Sequence, residues 1–186
     1  MPSAGSPVRL HLLEWPARAG AGPAVLLLHG LSGRASLWEG IAERLATAGC
    51  RVLAPDLRGH GCSSAPEASY DEAALVGDAL AVLDQSGVAK ADVVGHSLGG
   101  RIAICLASAN PERVRQLVIE DISPDPSRPQ GDEPWPVPFA TRQQALDAFR
   151  RRGGASLKKW YAASLVAVPG GFGMAYDNGA VAAIRR

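Results

Sequence analysis

Apolar residues recur along this chain with two alternating spacings. Ala24-Val25-Leu26-Leu27-Leu28 is apolar throughout, Val52-Leu53-Ala54 likewise, and Ala91-Asp92-Val93-Val94 nearly so, while Leu117-Val118-Ile119-Glu120-Asp121 ends the series. Such short runs predict strands, Ala24–Leu28 a central parallel one covered on both faces, Val52–Ala54 and Ala91–Val94 buried, and Leu117–Asp121 one more. Val8-Arg9-Leu10-His11-Leu12 alternates instead and predicts a half-exposed strand, ending in the turn-rich segment from Pro16 to Pro23. Between the runs the period lengthens. Leu98, Ile102, Cys105 and Leu106 return at three- and four-residue steps, predicting a helix from Leu98 through Ser108 that Asn110-Pro111 ends. Ser36-Leu37-Trp38-Glu39 and Ser69-Tyr70-Asp71-Glu72 have the S-x-x-E form of a capping box, predicting helices to about Ala48 and Leu83. Strands alternating with helices of this length predict β-α-β units and an α/β fold with right-handed crossovers.

After Ile122 the pattern breaks. Ser123 to Pro138 is dense in proline and carboxylates and reads as a linker. Thr141-Arg142-Gln143-Gln144 predicts a capped helix ending at Arg150-Arg151-Arg152-Gly153. Leu157, Trp160, Tyr161 and Leu165 predict another amphipathic turn or two, Phe172, Met174 and Tyr176 alternate, and Asp177 caps a last helix running to Arg186. The expected division is therefore a core over residues 1–122 and a separate segment over 123–186.

Composition narrows the function classes. At 186 residues, 47% of them hydrophobic, the chain is long enough for one sizeable core. Its 19 basic and 18 acidic side chains leave a net charge of +1, which favours neither nucleic acid nor an anionic membrane as partner. Cys50, Cys62 and Cys105 are an odd number without metal-ligand spacing, with Cys105 on the buried side of its helix. No metal and no organic cofactor is expected. Met1 to Pro7 lacks the features of a signal peptide and no apolar run reaches membrane-spanning length, so the expected setting is reducing and cytoplasmic.

The chemistry concentrates at Gly95-His96-Ser97-Leu98-Gly99. A bare G-x-S-x-G is common in glycine-rich chains as a tight turn. Here it joins a predicted strand to a predicted helix, which is the setting of a nucleophile elbow. That turn lifts the Ser97 hydroxyl above the sheet, while the glycines leave room for the close backbone approach. The helix that follows offers its N-terminal amides, Leu98 first, and the positive end of its dipole to a developing oxyanion.

Taken in order, His29-Gly30-Leu31, Asp56-Leu57-Arg58-Gly59-His60-Gly61 and Gly95-His96-Ser97-Leu98-Gly99-Gly100 make the chain resemble the α/β-hydrolase family. Glu120-Asp121-Ile122-Ser123-Pro124 looks like small bacterial esterases and their mitochondrial relatives. The resemblance covers about Val8 to Ser123, and the remainder resembles the start of a helical cap or lid. It implies a mostly parallel sheet with helices on both faces, incomplete on its C-terminal side. It also implies Ser97 as nucleophile, an acyl-enzyme, and an oxyanion hole from the backbone N–H groups of Leu31 and Leu98. Gly95, Gly99, His29 and Gly30 would then be structural parts of the elbow and oxyanion loop. The implied substrate is a small acyl ester or thioester. Serine at the elbow, where dehalogenases and epoxide hydrolases of the family carry aspartate, sets those chemistries aside. Carbon–carbon bond hydrolases and cofactor-free perhydrolases share the motifs.

One departure changes the picture. Triad partners in this family follow the serine, acid first and then histidine. All four histidines here, His11, His29, His60 and His96, precede Ser97. His29 is expected to brace the oxyanion loop, His60 to order its loop with Asp56 and Arg58, His96 to point away from the serine, and His11 to be solvated. Asp121, at the end of the strand after the elbow helix, reads as a strand-end polar residue or as an acid. The expectation is a chain that stops inside the cap, leaving Leu117 to Ile119 as an apolar sheet edge open to self-association. Trp38, Phe139, Phe149, Trp160 and Tyr161 are candidates to line an acyl pocket. The alternative function is a catalytically silent domain of this fold that binds a ligand or partner.

Overall fold

In the computed structural model, which describes residues 8–67, 69–121, 138–149, 151, 162 and 164–184, the apolar runs become strands of one sheet. These strands are β1 (Leu12–Trp15), β2 (Ala24–Leu28), β3 (Arg51–Pro55), β4 (Ala91–His96) and β5 (Val114–Glu120), ordered β1-β3-β2-β4-β5 across the sheet. β1 runs antiparallel to β3, and the other three pairings are parallel.

The all-apolar strand β2 is central and buries both faces, as its neighbour β3 also does with Leu53 on one side and Val52 and Ala54 on the other. Leu26 and Leu28 point into one cluster with Leu75, Leu83, Ile102 and Leu106, which belong to α2 (Glu72–Gln85) and α3 (Leu98–Ala109). Val25 and Leu27 point the other way, onto Trp38 and the Ala42 face of α1 (Glu39–Thr47). The sheet is thus sandwiched between α2 with α3 and α1. Each fully buried leucine stabilises this sandwich by about 2 kcal/mol relative to exposure.

Several local expectations are revised. The first strand begins at Leu12 rather than Val8, because the preceding residues are claimed by a loop. Arg9 exchanges hydrogen bonds with Ser64, and the His11 carbonyl accepts from Asp56 N at 2.8 Å. The Ser36 capping box does not form. Ser36 lies inside a 3-10 turn, Ala35–Trp38, that enters α1 with no side-chain cap. At α2 the cap is Asp71, whose carboxylate accepts from Ala74 N at 2.8 Å, while Ser69 Oγ accepts from Asp71 N. An acid at the helix N-terminus has the dipole in its favour as well.

Beyond β5, α4 spans 142–149 with Thr141 Oγ1 accepting from Gln144 N at 3.2 Å, and a hairpin follows of β6 (Leu165–Val168) and β7 (Gly171–Met174). Leu165 therefore sits in a strand, not in an amphipathic turn. Asp177 caps α5 (Asn178–Ile184) by accepting from Ala180 N at 2.8 Å. The expected linker before Pro138, and Leu157, Trp160 and Tyr161, lie outside the described residues. Two main-chain bonds tie this segment to the loop after β3, Gly61 N donating to Ala175 O and Asp177 N to Gly59 O, both at 2.7 Å, and Ile184 packs on the core beside the sheet.

Two of the aromatic pocket candidates are core instead. Trp38 is buried beneath α1, and Phe149 is buried with Ala145 and Met174, edge-on to Phe139. β5 forms the sheet edge, with Leu117, Val118 and Ile119 exposed at 37%, 53% and 42%. Among the described residues, no helix is long and apolar enough to cross a membrane.

Candidate active site

Ser97 lies between the last residue of β4 and the first of α3, at φ +50° and ψ −114°. A non-glycine residue there costs on the order of 1–3 kcal/mol and persists only where its surroundings impose it. Here they do. Ser97 N donates to Glu120 O at 2.9 Å, tying the turn to β5, and Ser97 O accepts from Arg101 N at 3.1 Å, starting the helix. The flanking glycines leave no alternative. A Cβ at Gly95 would stand 2.3 Å from Gly99 O, and one at Gly99 would stand 2.1 Å from Leu28 O. Ser97 is half-buried, and Leu98 begins α3, so its N–H has no acceptor within the helix.

The loop after β2 meets this turn. A Cβ at Gly30 would lie 2.7 Å from His96 Nδ1 and 3.2 Å from Ser97 Cβ, so the structure brings Gly30 and Leu31 against the elbow. His29 shapes that loop from beneath. Its Nε2 accepts from Leu57 N at 3.0 Å, which assigns the ring proton to Nδ1, where it is donated to Gly30 O at 2.8 Å. Complete burial, and then the neighbouring His60, push the His29 pKa down to about 3, so the ring is neutral.

His60 does more than order its own loop. It is buried, with Nδ1 3.0 Å from Arg58 O and Nε2 2.6 Å from Leu31 O, and burial lowers its pKa also. We assign its proton to Nε2, which then donates across the shorter contact to Leu31 and fixes that peptide. Asp56 and Arg58 do hold this loop with it, Arg58 O at His60 Nδ1 and Asp56 accepting from Cys62 N at 2.9 Å and from Ser63 Oγ at 2.6 Å, and both also reach beyond it. Asp56 Oδ1 accepts from Ala35 N at 2.7 Å. Arg58 donates to both oxygens of Asp78, at 2.6 and 2.7 Å, and this pairing raises its pKa. Asp78 was missed in the sequence. Its signal is an acid set in the apolar stripe of α2, next to Ala79 and between Leu75 and Val82.

His96 Nε2 is 3.7 Å from Asp121 Oδ2, and Asp121 itself has φ +54° with its side chain 80% exposed. His11 is not simply solvated, because its Nδ1 is 2.9 Å from Asp56 Oδ2. Leu98 also lines a cavity of about 540 Å³ with Tyr70, Glu72, Leu75, Arg101 and Ile184.

Comparison with known proteins gives the family and the fold. Residues 23–167 match the family model for the alpha/beta hydrolase fold. The sn-1-specific diacylglycerol lipase ABHD11 of Mus musculus is 39% identical over 120 residues, covering 63% of this chain and 38% of that protein. Epoxide hydrolase 3 of Siraitia grosvenorii is 37% identical over 113 residues, covering 60% of this chain and 34% of that protein. Among solved structures, an alpha/beta hydrolase from Novosphingobium aromaticivorans superposes with a TM-score of 0.75 at 29% identity, covering 91% of this chain and 65% of its own. The chain thus spans well under half the length of these two curated relatives. With a match running from the residue before β2 into β6, around an elbow built as described, the chain belongs to the α/β-hydrolase family.

Proposed function

We propose that this chain carries the nucleophile and oxyanion half of a serine hydrolase acting on carboxylic esters or thioesters through an acyl-enzyme. The observation that carries the reading is the strained Ser97, held at φ +50° between two glycines and against Gly30. Ser97 Oγ attacks the acyl carbonyl, and as the C–O bond forms its proton passes to a base that this chain does not supply. Collapse of the tetrahedral intermediate then breaks the acyl bond to the leaving oxygen or sulfur, which takes up that proton and departs as alcohol or thiol. The N–H groups of Leu98 and Leu31 receive the oxyanion, each worth on the order of 10²–10³ in rate. His29 and His60 are positioning residues, because they act through the Gly30 and Leu31 carbonyls. The mouse lipase relative points to acyl esters. The epoxide hydrolase relative matches the same core, but position 97 here is serine, and the acyl route is the one that serine supports.

The triad acid and histidine are not supplied by this chain in the proposal, since no histidine follows Ser97. Ester turnover by the chain alone then falls toward the roughly 10³–10⁴-fold enhancement that an oxyanion hole and binding give without a base. A fluorophosphonate probe tests the reading, with peptide mapping of the adduct. Adduct on Ser97, abolished in Ser97→Ala and slowed in Gly30→Ala, supports it. No adduct at Ser97 after prolonged exposure, in protein shown to be folded, favours the silent binding domain instead.

A further inference from the structure

The search for a second site leads to the side of the sheet where β1 begins. Three potential metal ligands from separate parts of the chain converge there: His11, Asp56 and Cys62, with one ligand atom from each lying within 4.8 Å of the others. His11 precedes β1, Asp56 follows β3, and Cys62 lies in the connection between β3 and α2. No sequence spacing announces the cluster, which is why the cysteines gave no metal signal. We infer that these residues form a binding site for a divalent borderline or soft cation, Zn²⁺ being the type, with water completing a four-coordinate shell.

Three observations support it. The donor set of imidazole nitrogen, carboxylate oxygen and thiol sulfur suits zinc or cobalt(II) and is a poor match for magnesium or calcium, which prefer oxygen. The groups are also held in advance. Asp56 N donates to His11 O at 2.8 Å, His11 N donates to Ser63 Oγ at 2.9 Å, and Ser63 Oγ donates to Asp56 O at 2.6 Å, closing a ring of bonds around the site. Cys62 N donates to Asp56 Oδ2 at 2.9 Å, bringing the thiol-bearing residue to the carboxylate. Finally, Gly61 sits at φ +54°, where a Cβ would fall 2.1 Å from Asp56 Oδ2, so glycine keeps the space over the carboxylate open.

Access and charge fit as well. Cys62 is exposed and the His11 side chain is 39% exposed, while Asp56 is 4% exposed and anchors the floor. The existing Nδ1–Oδ2 contact of 2.9 Å is a hydrogen bond, and a tetrahedral zinc shell with bonds of about 2.0–2.1 Å needs those atoms to part only to about 3.3 Å. On binding, the cation takes the place of the proton between those atoms. The imidazole proton moves to Nε2, the Cys62 thiol releases its proton to solvent, and the new bonds run from the metal to nitrogen, oxygen and sulfur. The site is separate from the proposed acyl chemistry and does not depend on it.

Cobalt(II) titration of the reduced, purified chain is the test, followed by competition with zinc. The expected result is a 1:1 near-ultraviolet thiolate-to-cobalt band with the strong visible bands of four-coordination, displaced by zinc. Cys62→Ser removes the charge-transfer band, and His11→Gln weakens binding by about ten-fold or more, both with unchanged far-ultraviolet circular dichroism. Cys50 and Cys105, the other free thiols, are the internal control, since neither belongs to the cluster. Absence of a thiolate band at saturating cobalt, or a band that survives Cys62→Ser, overturns the inference, as does affinity unaltered in His11→Gln.

Discussion

The closest backbone approach in the site is where the elbow helix meets the end of β2, and a single methyl group probes it. Gly99 is buried in the first turn of α3, and its missing side chain lets Leu28 O pass where a Cβ would stand at 2.1 Å, with His29 O at 2.8 Å. Ordinary contact begins at 3.4 Å. Gly99→Ala must therefore push α3 away from β2 by more than 1 Å, and both partners are main chain within the core, so no side chain can rotate aside. Overpacking of this kind costs on the order of 3 kcal/mol. Gly77→Ala is the matched control. Gly77 is exposed in the interior of α2 with nothing within 4 Å of an added Cβ. The same substitution there stabilises the chain by about 0.5–1 kcal/mol through helix propensity and the lost freedom of the unfolded chain. Urea unfolding followed by circular dichroism measures both. Changes of opposite sign, about 3–4 kcal/mol apart, are expected. A Gly99→Ala variant within 0.5 kcal/mol of the parent would refute the close-approach argument.

Other perturbations test neighbouring parts. His29 has a pKa near 3 when folded and an ordinary value of 6.5 when unfolded. Below 6.5 the unfolded chain binds the extra proton, so stability falls as pH is lowered, with a slope that starts near half of, and approaches, about 1.4 kcal/mol per unit. Urea midpoints between pH 6.5 and 5 should show that slope diminished in His29→Gln, and identical slopes would remove His29 as its source. Asp78→Ala strands the buried Arg58 guanidinium, whose side chain is 7% exposed, and should destabilise by about 3–5 kcal/mol. The exposed Arg101–Glu72 pair should yield less than about 1 kcal/mol to Glu72→Ala in the same assay. For the sheet edge we expect concentration-dependent self-association by light scattering, reduced by Val118→Lys, since lysine on an edge strand opposes pairing. Monomeric parent protein at all concentrations would contradict that.

How much of this could be read from the chain divides along a physical line. The central strands were legible because burial on both faces demands uninterrupted apolar residues, and Leu26-Leu27-Leu28 leave no other interpretation. The elbow was legible because its backbone approaches admit only glycine, so the constraint is written in residue identity at Gly95 and Gly99. Contacts made by ordinary polar residues leave no such trace. Nothing in the Asp56 to Gly61 motif says that its histidine reaches back to the Leu31 carbonyl, or that its arginine turns to Asp78 on a later helix. Those choices depend on how β2 and β3 lie side by side, which is settled by packing across the sheet. The His11, Asp56 and Cys62 cluster is the extreme case. It exists because the antiparallel register of β1 on β3, with Leu12 opposite Pro55, places His11 beside Asp56. Alternation near the N-terminus marks Arg9 as exposed but expects the same of His11, and only the ladder with β3 decides where the strand begins and that His11 lies half-buried against Asp56.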